Sequence, residues 1–222
     1  MKIVLATRSP RRKALLAFAG VPFVTCSSTD DEVIYPCLPA KTARHNAEAK
    51  ATRGAREYPG AIVLAADTVV YLDKIFGKPE NPAGAREMLR KLSGRTHAVH
   101  TAVALIYPRA GPAKIRVAVS RVTMRKLDEK TISRYLRLVN PLDKAGGYAV
   151  QEHDEILIEK IEGSLSNVIG LPLEVLAELF GCFPETRRYA SRLKAAAETY
   201  RLNASAPGRP PGQTSASSTR GG

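Results

Sequence analysis

Short apolar runs alternate with amphipathic segments along most of the chain, which predicts strands alternating with helices. The clearest run is Ala61–Ala66, six apolar residues followed at once by Asp67, and such a run is typical of a strand buried on both faces. We expect this strand to end at Asp67 and to be continued by Val69–Leu72. Two longer segments, His97–Tyr107 and Ile115–Met124, flank a turn rich in proline and glycine and predict a β-hairpin. A hairpin within a strand–helix alternation indicates an α/β fold with a mixed sheet.

The remaining elements follow from start and stop signals for helices and from short apolar runs. Helices are predicted over Pro10–Phe18, Ala40–Glu57, Asn81–Ser93, Asp128–Leu138 and Pro172–Phe180. Strands are predicted over Ile3–Ala6, Phe23–Cys26, Lys74–Phe76, Tyr148–Gln151 and Glu155–Glu162. We expect residues 1–186 to form the folded domain, 187–202 a basic C-terminal helix, and 203–222 a disordered tail whose composition cannot bury a core.

The charge balance narrows the classes of partner. A formal net charge of +13 favours phosphate-bearing partners, with nucleic acid and a small polyphosphate both open. Aromatic residues make up only 6% and tryptophan is absent, so no base-stacking platform is indicated. No apolar run is long enough to span a membrane and no signal peptide is evident, so a cytoplasmic location is expected. The three cysteines and four histidines are too scattered to indicate a zinc site or a disulfide framework.

The segment LATRSPRRKALL near the N-terminus carries the first candidate chemistry. Ser9 is a good N-cap and Pro10 a good first helical residue. Arg11, Arg12 and Lys13 then fall in the first turn, where cations oppose the positive end of the helix dipole. A bound anion such as phosphate would resolve this conflict, while a solvated basic turn is the alternative.

Two carboxylates and two lysines form the second group of candidates. A carboxylate such as Asp67 beside a buried strand is costly to ionise without a metal, a cation or hydrogen bonds. Together with Glu32 it could hold a divalent metal, or one of the two could act as a general base. Lys50 and Lys78 are candidate cations, although a lone lysine is most often solvated. The sequence FGKP around Lys78 lacks the spacing of a Walker A loop.

The segment NPLDKAGGYAVQ has the composition of a loop that closes on a ligand. Asp143 and Lys144 precede two glycines that allow close backbone approach. Gln151 both donates and accepts hydrogen bonds, which suits the edge of a nucleobase. The later segment GSLSNVIGLPL, at 163–173, is interpreted as structural only.

In this order and spacing, the segments resemble the Maf family of nucleotide pyrophosphatases over about residues 1–183. The resemblance rests on LATRSPRRKALL, Glu32, AEAKA, AADTVV, FGKP, MLRKLSGRTHAVHTAV, LDKAGGYAVQ and NVIGLPL. It departs from the family pattern at Thr7, Gly147 and Ala149, where serine, alanine and glycine are usual. The resemblance implies an ITPase-like, two-lobed fold with an elongated mixed sheet and a central cleft. It also implies a divalent metal (Mg or Mn), a nucleoside triphosphate substrate and frequent homodimers.

The same resemblance implies roles for individual residues. The general base corresponds to Asp67, which with Glu32 would also hold the metal. Phosphate-binding positions correspond to Ser9, Arg12, Lys50 and Lys78, and Asp143 and Lys144 are further cleft residues. The base-selecting positions correspond to Arg11, Thr68 and Gln151, a combination that resembles the subgroup acting on dTTP and UTP. The subgroup acting on 7-methyl-GTP has tryptophan, glutamine and glutamate at these three positions.

The resemblance therefore implies hydrolysis of dTTP and UTP, and of modified pyrimidine nucleotides, to the monophosphate and pyrophosphate as house-cleaning of nucleotide pools. One alternative is a regulatory nucleotide-binding protein of the same fold linked to cell division arrest. Another is a nucleic-acid-binding protein, for which the net charge is the main support. If the protein is instead a pyrophosphatase, nucleic acid would bind only weakly, through the basic tail.

Overall fold

The computed structural model describes residues 1–27, 32–107 and 112–204, and they form a mixed sheet with helices around it. The strands are β1 (Ile3–Ala6), β2 (Val24–Cys26), β3 (Ile62–Tyr71), β4 (Ile75–Phe76), β5 (Thr96–Ile106), β6 (Lys114–Met124) and β7 (Ile158–Glu162). The helices are α1 (Pro10–Phe18), α2 (Pro39–Glu57), α3 (Pro82–Leu92), α4 (Glu129–Leu138), α5 (Asp154–Leu157), α6 (Leu165–Ile169), α7 (Leu173–Gly181) and α8 (Pro184–Ala204), with a 3-10 turn at Ala145–Gly147. The α/β class and the hairpin β5–β6 are confirmed.

The sheet has the strand order β2-β1-β3-β5-β6-β7, with β4 pairing to β3. Strand β1 runs parallel to β2 and β3, while the pairs β3–β5, β5–β6 and β6–β7 are antiparallel. Parallel pairing of β1 with β3 is possible because α1, β2 and α2 supply the long crossover that such a pair requires.

Asp67 lies inside strand β3, so the expectation that the strand ends there is wrong. Strand β5 pairs with β3 from Val63 to Tyr71 along one edge. On the other edge, β1 pairs with β3 only as far as Ala65, and the pairing of β4 with β3 begins only at Val70. In the described part of the chain, no strand covers this edge of β3 between those two positions. The resulting notch gives a ligand access to β3 at Asp67 without ending the strand.

The two faces of β3 belong to different layers of the core. Ile62, Leu64 and Ala66 pack in the larger apolar cluster, whereas alternate residues such as Val63 and Ala65 pack with the alanines of α2. Because successive side chains of a strand point to opposite faces, Asp67 faces α2 and Thr68 faces the larger apolar cluster.

Alanines form the buried face of α2, with Ala43, Ala47 and Ala51 fully buried. A further close contact occurs at Gly54, where an added Cβ would lie 2.8 Å from Cγ1 of Val63. Small side chains therefore bring α2 close enough to β3 for polar side chains of the helix to contact Asp67.

Three segments in the C-terminal half of the chain have a secondary structure that differs from the prediction. Residues 148–151 form no strand; Tyr148, Ala149 and Val150 are buried, and the Ala149 amide donates to the side-chain hydroxyl of Tyr135 at 2.9 Å rather than to a strand carbonyl. The segment predicted as a strand from Glu155 begins as α5 and becomes extended only at Ile158. Helix α6 was not predicted, since five residues are too few for a recognisable period.

The last helix, α8, begins at Pro184, three residues before its predicted start, and packs on the core. It buries Tyr189, Leu193, Ala196 and Tyr200 in the larger apolar cluster. Tyr200 also meets Phe18 of α1 edge to face, with ring centroids 5.3 Å apart. The helix extends to Ala204, two residues into the tail that was predicted to begin at residue 203, so that boundary is wrong. The rest of the predicted tail, 205–222, lies outside the described residues, and the division of the chain at residue 186 stays a prediction. No helix within the described ranges is long and apolar enough to cross a membrane.

A buried histidine gives the fold a specific pH dependence. His97 is 2% exposed, its Nε2 lies 2.7 Å from the Tyr148 hydroxyl, and burial lowers its pKa from 6.5 to about 4. Between these two values the unfolded chain binds a proton that the folded chain does not. The free energy of unfolding should therefore fall as the pH drops through this window, by up to about 3 kcal/mol.

This expectation is checked by urea unfolding of the wild type and His97→Phe at a series of pH values. The stability advantage of the wild type over the variant should be constant above pH 6.5 and should shrink as the pH falls toward 4. Equal pH slopes for the two proteins would contradict the role of His97.

Candidate active site

The notch beside β3 opens into a cleft of about 790 Å³, within the size range typical of small-molecule sites. It is lined by the N-terminus of α1, a polar stripe of α2, strand β3, the FGKP segment and residues 143–145 and 148–150. The structure brings together these predicted residues: Ser9, Arg11, Arg12, Glu32, Lys50, Asp67, Thr68, Lys78, Asp143 and Lys144. Gln151 is not among the lining residues of this cleft, although Val150 before it is.

A buried lysine joins the two candidate carboxylates. Lys50 Nζ donates to Asp67 Oδ1 at 2.6 Å and to Glu32 Oε1 at 2.9 Å, and both Lys50 and Asp67 are buried. Partial burial raises the pKa of Glu32, but the nearby Lys50, Lys78 and Arg12 outweigh it and hold that pKa below its ordinary value. Lys50 therefore gives both carboxylates a cationic partner at one end of the cleft.

The two carboxylates fit a divalent cation that is bound together with a polyphosphate. Among the described residues no group of three or more metal-ligating side chains occurs, so these residues by themselves offer a small donor set. Mg²⁺ is commonly held by one or two carboxylates plus substrate phosphates and water. Glu32 and Asp67 both contact the ammonium of Lys50 and so already share one cationic partner at this end of the cleft.

Helix α2 carries a polar stripe that the sequence interpretation missed. Thr42, Asn46 and Lys50 recur at intervals of four residues and are all buried. Asn46 Oδ1 accepts from the Val33 amide at 3.0 Å, and its Nδ2 donates to the Val33 carbonyl at 3.1 Å and to Asp67 Oδ2 at 3.4 Å. Thr42 accepts similarly from the Tyr35 amide at 3.0 Å. The stripe therefore holds the segment after Glu32 against the helix, and its spacing was the available signal.

The first turn of α1 directs Arg12 into the cleft. Ser9 caps the helix and its Oγ accepts from the Arg12 amide at 3.4 Å. The Arg12 guanidinium donates from Nε to the Gly170 carbonyl at 2.8 Å and from Nη2 to Thr68 Oγ1 at 2.9 Å. Burial lowers the pKa of Arg12, and the carboxylates of Asp67 and Glu32 oppose that shift. An arginine remains charged even so, which leaves a fixed positive group near the carboxylates.

The Gly170 contact was missed because its segment was interpreted as structural only. Gly170 ends α6 with φ at +116°, and an added Cβ would lie 3.1 Å from Thr68 Oγ1. Glycine is required here both for the left-handed backbone and for the close approach of this turn to Arg12.

The loop after α4 is tied to α1 by a second ion-pair cluster. Arg11 donates from Nη1 to Asp143 Oδ2 at 2.8 Å and from Nη2 to the Asp143 carbonyl at 3.2 Å. Lys144, which is buried, donates to Asp143 Oδ1 at 2.8 Å and to the Asn140 carbonyl at 2.7 Å. Burial raises the pKa of Asp143, but Lys144 and Arg11 outweigh this and hold it below its ordinary value. Arg11 is thus held by Asp143 at the wall of the cleft.

Comparison with known proteins decides the family. Residues 2–183 match the family model described as "Maf-like protein". The chain belongs to the Maf family. It is 46% identical over 173 residues to a dTTP/UTP pyrophosphatase from Akkermansia muciniphila, which covers 77% of this chain and 90% of that relative. It is 44% identical over 184 residues to a dTTP/UTP pyrophosphatase from Moorella thermoacetica, which covers 82% of this chain and 95% of the relative.

The Maf match ends at Phe183, so α8 lies beyond it. Among solved structures, a nucleoside-triphosphatase, dITP/XTP pyrophosphatase, from Mycobacterium abscessus aligns over 94% of this chain and 100% of its own length, with 20% identity and a TM-score of 0.45. Membership of the Maf family confirms the resemblance, while the roles of individual Maf residues in this chain stay predictions.

Proposed function

We propose that this Maf protein is a nucleoside triphosphate pyrophosphatase that hydrolyses dTTP and UTP to the monophosphate and pyrophosphate. The observation that carries the proposal is a single cleft in which two carboxylates, Glu32 and Asp67, face Lys50, Lys78 and Arg12. Such an arrangement provides a candidate base and the cations that phosphoryl transfer requires. Relatives that are 43–46% identical to this chain are dTTP/UTP pyrophosphatases, which supports the same reaction and substrates.

The cations would bind and orient the triphosphate. Ser9 and Arg12, at the start of α1, suit phosphate oxygens because a helix N-terminus and a guanidinium both donate to anions. Lys78 is 56% exposed at its side chain and reaches toward Glu32 at 3.8 Å, which leaves its ammonium accessible to a polyphosphate. Charge that develops on the leaving pyrophosphate would be stabilised by these groups.

Asp67 would orient and deprotonate the attacking water. Its carboxylate lies at the open edge of β3, and its two oxygens accept from Lys50 and Asn46. Those contacts fix the side chain so that it can receive a proton in one geometry, which is the first requirement of a general base.

A divalent metal, Mg or Mn, would be held by Glu32 and Asp67 together with the phosphates. When bound, it would neutralise phosphate charge and polarise the bond that breaks. The supporting observation is the donor set itself, two adjacent carboxylates in a cleft that also carries cations for the rest of the polyphosphate.

Base selection is proposed for Arg11, Thr68 and Gln151. Arg11 is held at the cleft wall by Asp143, where its guanidinium could donate to a pyrimidine carbonyl. Gln151 would need to approach the base from beside Val150, since it does not line the cleft.

A homodimer is the expected assembly, and sedimentation at several protein concentrations would test it.

The function is tested by measuring pyrophosphate release from UTP, dTTP, CTP, GTP and 7-methyl-GTP with Mg²⁺ or Mn²⁺. We expect UTP and dTTP to give the highest kcat/KM. Tight UTP binding without turnover would instead support the regulatory nucleotide-binding alternative, and preference for a purine would contradict the proposed base selection.

A further inference from the structure

Arg12 is held by two segments that are distant in sequence. Its Nε donates to the Gly170 carbonyl at 2.8 Å, and its Nη2 donates to Thr68 Oγ1 at 2.9 Å. A guanidinium carries five N–H donors in a rigid plane. Fixing two of them therefore fixes the direction of the other three, which are available to a phosphate in the cleft that Arg12 lines.

The Thr68 hydroxyl is itself oriented by its neighbour across the sheet. Strand pairing places Thr68 opposite Thr101, and their Oγ1 atoms are 3.0 Å apart. Thr101 is fully buried, and its Oγ1 also donates to the Asn167 carbonyl at 3.0 Å.

These contacts determine which hydroxyl donates. A hydroxyl has one hydrogen, and Thr101 uses its hydrogen on the Asn167 carbonyl, which can only accept. Thr101 must therefore accept from Thr68, and the hydrogen bonds run from Thr68 to Thr101 to Asn167. Thr68 consequently presents only lone pairs to Arg12, which is the orientation that accepts the Nη2 hydrogen.

The end of this chain is rigidly placed. Asn167 Nδ2 donates to the Val99 carbonyl at 3.0 Å and to Ser120 Oγ at 2.9 Å. Asn167 and Gly170 belong to the same short turn, because the Gly170 amide bonds to the Asn167 carbonyl at 3.0 Å. One turn, anchored to strands β5 and β6, therefore supplies both the terminal acceptor of the chain and the carbonyl that binds Arg12.

We infer that Thr101 and Asn167 are positioning residues that orient Arg12 through Thr68 for binding the substrate's phosphates. The inference rests on the proposed function only in taking that substrate to be a nucleoside triphosphate. Without the Thr101 hydroxyl, the Thr68 hydrogen has no acceptor and can rotate toward Arg12, where donor would meet donor. Arg12 would then lose one of its two anchors and the defined direction of its remaining donors.

The test compares Thr101→Val, which keeps the shape and loses the hydroxyl, with Thr101→Ser, which keeps the hydroxyl. Thr96→Val is the matched control, since Thr96 lies on the same strand and makes the same kind of cross-strand contact, 2.9 Å to Thr123, at an exposed position. We expect Thr101→Val to lower kcat/KM for UTP about tenfold, as for loss of one network hydrogen bond, mainly through kcat. Thr101→Ser and Thr96→Val should remain within about twofold of wild type.

A double-mutant cycle separates positioning from general damage. In an Arg12→Lys background, where the lysine cannot make both contacts, Thr101→Val should cost less than about twofold. A full tenfold loss in that background, or no rescue by serine, overturns the inference. If the wild type does not hydrolyse UTP, the proposed function fails separately, and the inference is judged by calorimetric binding of inorganic tripolyphosphate. Wild type should then bind it more tightly than Thr101→Val, and equal affinities overturn the inference.

Discussion

Replacing Asp67 with asparagine should lower kcat for UTP by about 10² to 10⁴, while UTP binding persists. The amide has nearly the same size and keeps one oxygen toward Lys50, but it cannot accept a proton from water. A loss of that size is typical for removal of a general base. Steady-state pyrophosphate release gives kcat, and calorimetry of the inactive variant gives the affinity for UTP.

The matched control is Asp73→Asn, which removes a carboxylate that is exposed and paired with Arg95 just beyond the same strand. It should leave kcat unchanged within about twofold, since exposed ion pairs contribute little. If Asp67→Asn retains turnover within a few-fold of wild type, Asp67 is not the general base, and its proposed role would be limited to binding the metal.

Replacing Lys50 with methionine should lower the free energy of unfolding at neutral pH by about 3–5 kcal/mol and abolish most turnover. The change leaves the Asp67 carboxylate, which is 4% exposed, without its cationic partner, and an uncompensated buried charge is costly. Urea unfolding with EDTA present measures the effect without contribution from a bound metal.

Two comparisons make this result specific. Adding Asp67→Asn to the Lys50→Met protein removes the stranded charge and should recover a large part of the lost stability. Lys91→Met removes an exposed lysine that pairs with Glu87 at 3.2 Å and should change stability by no more than about 0.5 kcal/mol. A double variant no more stable than Lys50→Met would show that the loss has another origin.

Local pattern was sufficient for most elements of the fold. The apolar run of β3 and the hairpin β5–β6 both contain enough residues for their period to be recognised. The N-cap and proline that start α1 act within one turn and were likewise readable. By contrast, α6 is only five residues long, and the buried segment at 148–150 is apolar without forming a strand. In these two places tertiary packing, rather than local propensity, selects the backbone conformation.

The residues of the candidate site also fall into two groups, those that the sequence indicated and those that only the structure revealed. Residue chemistry indicated Asp67, because a carboxylate beside a buried strand is costly unless it is paired or functional. Glu32 and Lys50 were only candidates by residue type, and their predicted roles came from the resemblance to the Maf family. The sequence did not show Asn46 as a partner of both Asp67 and Val33, although its spacing of four from Lys50 was visible.

The sequence by itself determined the α/β class, the buried strand that carries Asp67, and the supply of cations and carboxylates, since these depend on local periodicity and on side-chain chemistry. The tertiary structure alone decided that β1 pairs with β3 in a register that places Ala6 opposite Ala65, so that β3 continues past the end of β1 and opens the notch where the cleft forms. It alone brought the Gly170 carbonyl to Arg12 across 158 positions of the chain. Strand register and contacts between distant segments are set by the packing of the whole sheet and its helices, and no local pattern of apolar and polar residues encodes them.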